Sequence, residues 1–217
     1  MRDPRYRFPP ADSADEHGLV ARSNFIDAEM AFAAHSQGIF PWYNPGEPIL
    51  WWSPDPRAII PTAAVHTSRS LRKLMRRTNY RLTLDTAFTA VIDYCASCHG
   101  ATWITGEMRQ TYLALHEQGR AHSCELWQDD ELVGGLYGVA LERIYCGESM
   151  FSLRPSASKI VLVRLCAWLA VHGIDTLDTQ FLTPHLISMG AVNISRRDYL
   201  ARLTANPDKH RGHWHIT

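Results

Sequence analysis

Apolar side chains at positions 88, 91, 92 and 95 make an i, i+3, i+4, i+7 stripe, which predicts a helix near Thr86–Cys98. A second stripe predicts a helix over Thr105–Gln118, closed by Gly119. Upstream, Asn24 is placed to cap a helix that carries Phe25, Ala28 and Phe32 inward and ends at Gly38. "YRLTL" predicts a strand, and "HSCELW", "LVGGLYGVAL" and "RIYCGESMF" predict three more, joined by turns at Asp129–Asp130 and Glu142. Ser156 or Ser158 is placed to cap a long helix ending at His172, with Gly173 beyond it. "IDTLDTQ" then predicts a strand, "TPHLISMG" a short helix, "AVNI" a last strand and "RRDYLARL" a terminal helix.

One stretch fits neither period. "GIFPWYNPGEPILWWSPDPR" (Gly38–Arg57) sets Phe40, Trp42, Tyr43, Trp51 and Trp52 among prolines. Proline fixes φ and removes a backbone donor, so turns and extended pieces are expected here, not a helix or a central strand. Rings on such a path either cover a core or wall a binding site. The composition changes at Pro61, which suggests a small N-terminal domain over 1–61 and a larger domain over 62–217.

Composition narrows the function classes. At 217 residues, 46% hydrophobic and 20% charged, the chain can bury a substantial core. The net charge is zero, which argues against a uniformly basic surface and leaves room for a local one. "TSRSLRKLMRRTNYR" (Thr67–Arg81) supplies it: Leu71, Leu74 and Met75 share one helical face, while Arg69, Arg72, Lys73, Arg76 and Arg77 cover the rest. No acid interleaves them, unlike an ordinary salt-bridged surface helix, so a phosphate-facing role is expected. The N-terminus has no apolar signal region, and the longest apolar run, Ile160–Val171, holds Arg164 and is too short for a membrane span. A cytoplasmic location with reduced thiols is therefore expected for the five cysteines. Cys95, Cys98 and His99 spell a haem-attachment pattern, but Cys95 belongs to the apolar stripe, and core packing is the expected role.

The element order β-α-α-β-β-β-α-β-α-β is similar to the GNAT acyltransferase fold, an α+β fold with a mixed sheet flanked by helices. GNAT enzymes that use acetyl-CoA bind its pyrophosphate on a glycine-containing loop after the third meander strand. Here that junction, "SLRPSASK" (Ser152–Lys159), has a proline and no glycine. Acyl transfer fits this reading, and CoA does not.

Longer motifs carry a closer resemblance. "GIFPWYNPGEPILWWSPDPRAII", "TWIT", "IYCGESMF", "DTQFLTPHLISMGA" and "RRDYL" together resemble the bacterial leucyl/phenylalanyl-tRNA–protein transferases, in order from about Phe8 to Leu203. Two departures from the family pattern are "RSNFID" after Gly18–Ala21 and Thr183 where some members have Asn. The resemblance implies transfer of Leu or Phe, with Met acceptable, from aminoacyl-tRNA to proteins beginning with Arg or Lys, which creates an N-degron for protein degradation. It implies no metal, no prosthetic group and no CoA. By the same resemblance, Asp178 helps take the amine's proton, Gln180 orients the attacking group, and Glu148 binds the substrate amine or ribose hydroxyls. Asp178 and Gln180 lie two apart on a predicted strand and so are expected to share a face. Trp42, Trp103 and Tyr112 are implied to meet the aminoacyl-adenosine, and Leu136, Tyr145 and Met150 the aminoacyl side chain. The basic helix is implied to hold tRNA phosphates. Glu148 or Asp55 would suit the acceptor's cationic side chain.

Plainer readings exist for the same residues. Asp178 can be a strand-end carboxylate paired with a cation, and Trp103 and Tyr112 can be core aromatics. Two rival functions are a CoA-dependent GNAT acetyltransferase and a non-enzymatic module binding N-terminal peptides on the Pro/Trp segment.

Overall fold

The computed structural model describes residues 6–77, 79–98, 103–203 and 214–215, the side chain of Arg77 excepted. Three short strands, β1 (Leu19–Ser23), β2 (Phe40–Pro41) and β3 (Ile49–Trp52), form a small antiparallel sheet with the helix α1 (Ala28–His35). A seven-stranded sheet in the order β10-β4-β9-β8-β7-β6-β5 makes up the body of the molecule. Its strands are β4 (Arg57–Pro61), β5 (Tyr80–Leu84), β6 (Ala121–Gln128), β7 (Glu131–Ala140), β8 (Ile144–Ser152), β9 (Thr176–Gln180) and β10 (Val192–Ile194). The helices α2 (Arg69–Arg77), α3 (Phe88–Ser97), α4 (Gly106–Glu117), α5 (Ala157–Val171), α6 (Pro184–Ser188) and α7 (Arg196–Leu200) complete a mixed α+β architecture.

Local signals explain most of these elements. Thr105, Thr183 and Ser195 each accept a backbone N–H with the side chain and so start α4, α6 and α7. Asp129 and Asp130, both left-handed, make the tight β6–β7 turn. The apolar stripe of α3 packs in one buried cluster with Tyr112 and Phe151, while α5 fills a second cluster with Leu136 and Leu177. Cys95 is buried in the α3 stripe, as core packing requires, and His99 lies outside the described residues. No described helix is long and apolar enough to cross a membrane.

Several elements depart from the sequence pattern. The α1 cap is Asp27, not Asn24, so the helix starts later and Phe25 is left 54% exposed before it. Ser156 is left-handed and caps nothing with its side chain. Ser152 Oγ instead accepts the Ser158 N–H, and the Arg154 carbonyl accepts that of Ala157. The Pro/Trp segment does contain a central strand: β3 lies between β1 and β2. Pro48 and Pro54 fall outside it, so every N–H of Ile49–Trp52 remains for the ladder. Trp51 is fully buried there against Phe8 and donates to Ser23 Oγ at 2.9 Å. β4, on the N-terminal side of position 61, is an interior strand of the large sheet.

The parting of β8 from β9 positions the site. These are the two parallel neighbours, and their pairing runs only from Ile144–Thr176 to Cys146–Asp178. Immediately beyond, β8 takes an extra residue opposite Tyr137–Gly138, at Glu148, and β9 takes one opposite Ala58–Ile59. Such bulges bend a strand and redirect its side chains.

Candidate active site

Two recesses open where β8 and β9 part, each enclosing ≈ 120 Å³. The first has aromatic walls, Phe40, Trp42, Trp103 and Phe181, with Pro41. The second is walled by Leu136, Met150, Leu162, Leu177 and Leu186, together with Gly147, Ser149 and Thr179. Glu148 and Gln180 line both, and so mark the seam between an aromatic and an aliphatic chamber.

Glu148 is held from below. Its side chain is 3% exposed, and Tyr112 on α4 donates its hydroxyl to Oε2 at 2.6 Å. His35, the last residue of α1, brings Nε2 to 3.6 Å from Oε1 and 3.4 Å from the Tyr112 oxygen. Burial pushes the Glu148 carboxyl up to about 8, against the lowering effect of the Tyr112 hydrogen bond, and the nearby Asp178 charge adds to the rise. Burial also drops His35 to about 4. At neutral pH the imidazole is therefore uncharged and the carboxyl largely protonated, so their approach is not an ion pair.

Asp178 occupies a different environment. Arg57 of β4, itself buried, forks onto it with Nε to Oδ1 at 2.9 Å and Nη2 to Oδ2 at 2.7 Å. The Tyr199 hydroxyl donates to Oδ2 at 2.8 Å and the Gln180 N–H to Oδ1 at 2.9 Å. Burial alone would raise this carboxyl, but the Arg57 charge and these hydrogen bonds hold it below the ordinary carboxylate range. Asp178 lines neither recess. The expected sharing of a face with Gln180 fails because Gln180 is left-handed, at φ 58, just past the bulge. Strict alternation stops there, and Gln180 turns to the recess that Leu177 and Thr179 also line. Its Nε2 has no partner among the described residues.

The remaining sequence candidates divide. Trp42 (45% exposed) and Trp103 stand in the aromatic recess, and Leu136 and Met150 in the aliphatic one. Tyr112 is fully buried and reaches the site only through its hydroxyl on Glu148. Tyr145 is fully buried, donates to the His122 carbonyl and lines neither recess. Asp55 is exposed, accepts the Arg196 N–H at its Oδ1 and lines neither recess. Arg69, Arg72, Lys73 and Arg76 are exposed and together line a separate wide recess on α2; the Arg77 side chain lies outside the described residues. Arg57, His35, Phe181 and Leu162 were missed. Arg57 and Phe181 stand inside the quoted motifs, at the end of the Pro/Trp stretch and just after Gln180, while no local pattern marks His35 or Leu162. No group of three metal-ligating side chains occurs among the described residues.

The family model for leucyl/phenylalanyl-tRNA protein transferases matches residues 59–204. The chain belongs to the leucyl/phenylalanyl-tRNA protein transferase family. The model of this family's N-terminal domain matches residues 26–55, ending just before β4. A leucyl/phenylalanyl-tRNA–protein transferase of Legionella pneumophila (strain Corby) is 46% identical over 99% of this chain and 98% of its own. One of Azoarcus sp. (strain BH72) is 48% identical over 92% of this chain and 87% of its own. Among solved structures, the C-terminal domain of a putative lysylphosphatidylglycerol synthetase from Agrobacterium fabrum aligns at 13% identity and TM-score 0.42, over 77% of this chain and 56% of that one. The family motif "DTQ" contains Asp178 and Gln180, which the bulge in β9 turns in different directions.

Proposed function

We propose that this chain transfers leucine or phenylalanine, and accepts methionine, from aminoacyl-tRNA to the α-amino group of proteins beginning with Arg or Lys, creating an N-degron. The observation that carries the reading is the pair of recesses sharing Glu148 and Gln180. Trp42 and Trp103 offer the terminal adenine a π surface, with stacking worth about 1–3 kcal/mol per base. The aliphatic chamber suits a side chain branched beyond Cβ or aromatic, and Met150 lets it adapt. The ester joining the two then lies at the seam, beside Glu148 and Gln180.

Aminolysis of this ester needs a neutral amine, a stabilised oxyanion and a place for one proton. Asp178 is poorly suited to take that proton, since both its oxygens already accept from Arg57 and from Tyr199 or Gln180. Glu148 suits it better: its ionised fraction, a minority at neutral pH, takes the amine's proton at the seam and returns it to the departing ribose oxygen, so the carboxyl ends the step as it began it. One carboxylate oxygen, Oε1, has no hydrogen-bond partner among the described residues. Gln180 orients the attacking amine through its amide oxygen and leaves its N–H for the developing oxyanion.

The parted parallel strands and the meander before them fit a GNAT-like architecture. CoA fits poorly, because the first N–H groups of α5, at Ala157 and Ser158, are already accepted by Arg154 and Ser152. Labelled Leu-tRNA with an Arg-initiated peptide is expected to give labelled peptide, and none after RNase treatment. Acetyl-CoA turnover without RNA, or peptide binding without transfer, would overturn the reading.

The cations of α2 hold the phosphates of the tRNA body under this reading. Reversing the charge of Arg72 and Arg76 together is expected to lower the slope of log affinity against log salt by about 2, at roughly 0.9 for each phosphate no longer neutralised. An unchanged slope in a filter-binding titration would place the tRNA elsewhere.

A further inference from the structure

We propose that Arg57 is a positioning residue for transfer, acting through Asp178 to hold Gln180 in the strained turn that aims its amide at the seam of the two recesses. This rests on the aminoacyl transfer proposed above and adds a residue to it.

The turn is unusual in its backbone. Gln180 has φ 58, a region disfavoured for residues with a side chain, and the Phe181 N–H closes a three-residue turn on the Thr179 carbonyl at 2.6 Å. Such a conformation persists only where its surroundings enforce it. Here the enforcing contact is the Gln180 N–H on Asp178 Oδ1 at 2.9 Å. That oxygen is itself fixed by Arg57 Nε, and the partner oxygen by Arg57 Nη2 and Tyr199.

Arg57 is also clamped. Its guanidinium lies 4.6 Å from the Phe40 ring centre and 4.4 Å from that of Tyr199, and Nη1 donates to the Gly38 carbonyl at 3.2 Å. Gly38 has φ 79, and a Cβ there would come within 2.5 Å of Leu200, so glycine is what lets this carbonyl face Arg57. Phe40, two residues on, is a wall of the aromatic recess. One side chain thus ties the chain that carries the aromatic wall to the strand that carries Gln180. A lysine has one charge but no planar fork, and cannot reproduce the paired contacts on both carboxylate oxygens together with the third bond to Gly38.

The test uses the full-length chain with Arg57→Lys, and Tyr199→Phe as the milder change that leaves the fork intact. Single-turnover transfer from Leu-tRNA and the NMR signal of the Gln180 amide are measured on each. In the wild type the carboxylate-bonded Gln180 amide proton is expected downfield and slow to exchange. Arg57→Lys is expected to move it upfield, speed its exchange and slow transfer about 10²-fold, the scale of a misplaced reacting group. KM for Leu-tRNA should stay within about threefold, because Trp42, Trp103 and the aliphatic walls Leu136, Met150, Leu162 and Leu186 remain for the aminoacyl-adenosine. If Arg57→Lys does not fold, Tyr199→Phe is expected to show the same coupled change, with transfer slowed several-fold. A displaced Gln180 amide with wild-type transfer, or slowed transfer with an unmoved amide, would overturn the proposal. Failure of the underlying reading is separate: the wild-type chain would then show no RNase-sensitive transfer at all.

Discussion

Glu148→Gln is expected to slow transfer by about 10²–10⁴-fold while making the fold more resistant to heat, and the gain should grow with pH. Both effects come from the same burial. In the folded chain the carboxyl ionises only near pH 8, whereas in the unfolded chain it ionises near about 4.3. Between those values the folded state holds the proton more tightly, so wild-type stability is greatest below the unfolded value and declines as pH rises through the window. Glutamine does not titrate, and its oxygen still accepts the Tyr112 hydroxyl. The difference in melting temperature should therefore be small near pH 4 and largest near pH 8, where it reflects on the order of a few kcal/mol. Thermal melts across that range, beside single-turnover rates, check both. A rate within a few-fold of wild type would remove Glu148 from the proton transfer, and a pH-independent melting difference would mean that its affinity is ordinary.

Asp178→Ala is expected to destabilise the fold by about 3–5 kcal/mol, since it leaves the buried Arg57 charge without its counter-ion. At about 2–4 °C per kcal/mol for a chain of this size, melting should fall by on the order of 10 °C. A carboxylate that served only as proton acceptor would give the opposite pattern, lost transfer with stability kept or improved. Calorimetry on the variant separates the two. Activity would fall in either case, so rate measurements alone cannot, and a melting temperature within a degree or two of wild type would refute the structural role.

The secondary structure of the main sheet was largely legible because its signals are local. Thr105, Asp129–Asp130, Gly119 and Gly173 act on their immediate neighbours, and the α3 stripe has one period with one meaning. Within the Pro/Trp stretch local signals were misleading. Proline's constraint is as local as the others, but the five residues between Pro48 and Pro54 were enough for a four-residue central strand. Alternation likewise misplaced Asp178 and Gln180 on one face, because a bulge defined only by pairing with β4 intervenes. Tyr112 and Tyr145 illustrate a further limit: aromatic residues near a site look alike in sequence whether they line it or support it from behind.

By itself, then, the sequence determined the family and the order of the elements from β5 onward, and it singled out "CGES" and "DTQ" as segments that reach the recesses. What tertiary structure alone decided was which of these groups opens onto a recess and which is locked behind it. Arg57 and Asp178 are 121 residues apart, and His35 and Tyr112 are 77 apart. No local pattern records such pairings, because burial and hydrogen bonding, which set whether a carboxylate is a locked counter-ion or a poised acid, depend on what the rest of the chain brings beside it.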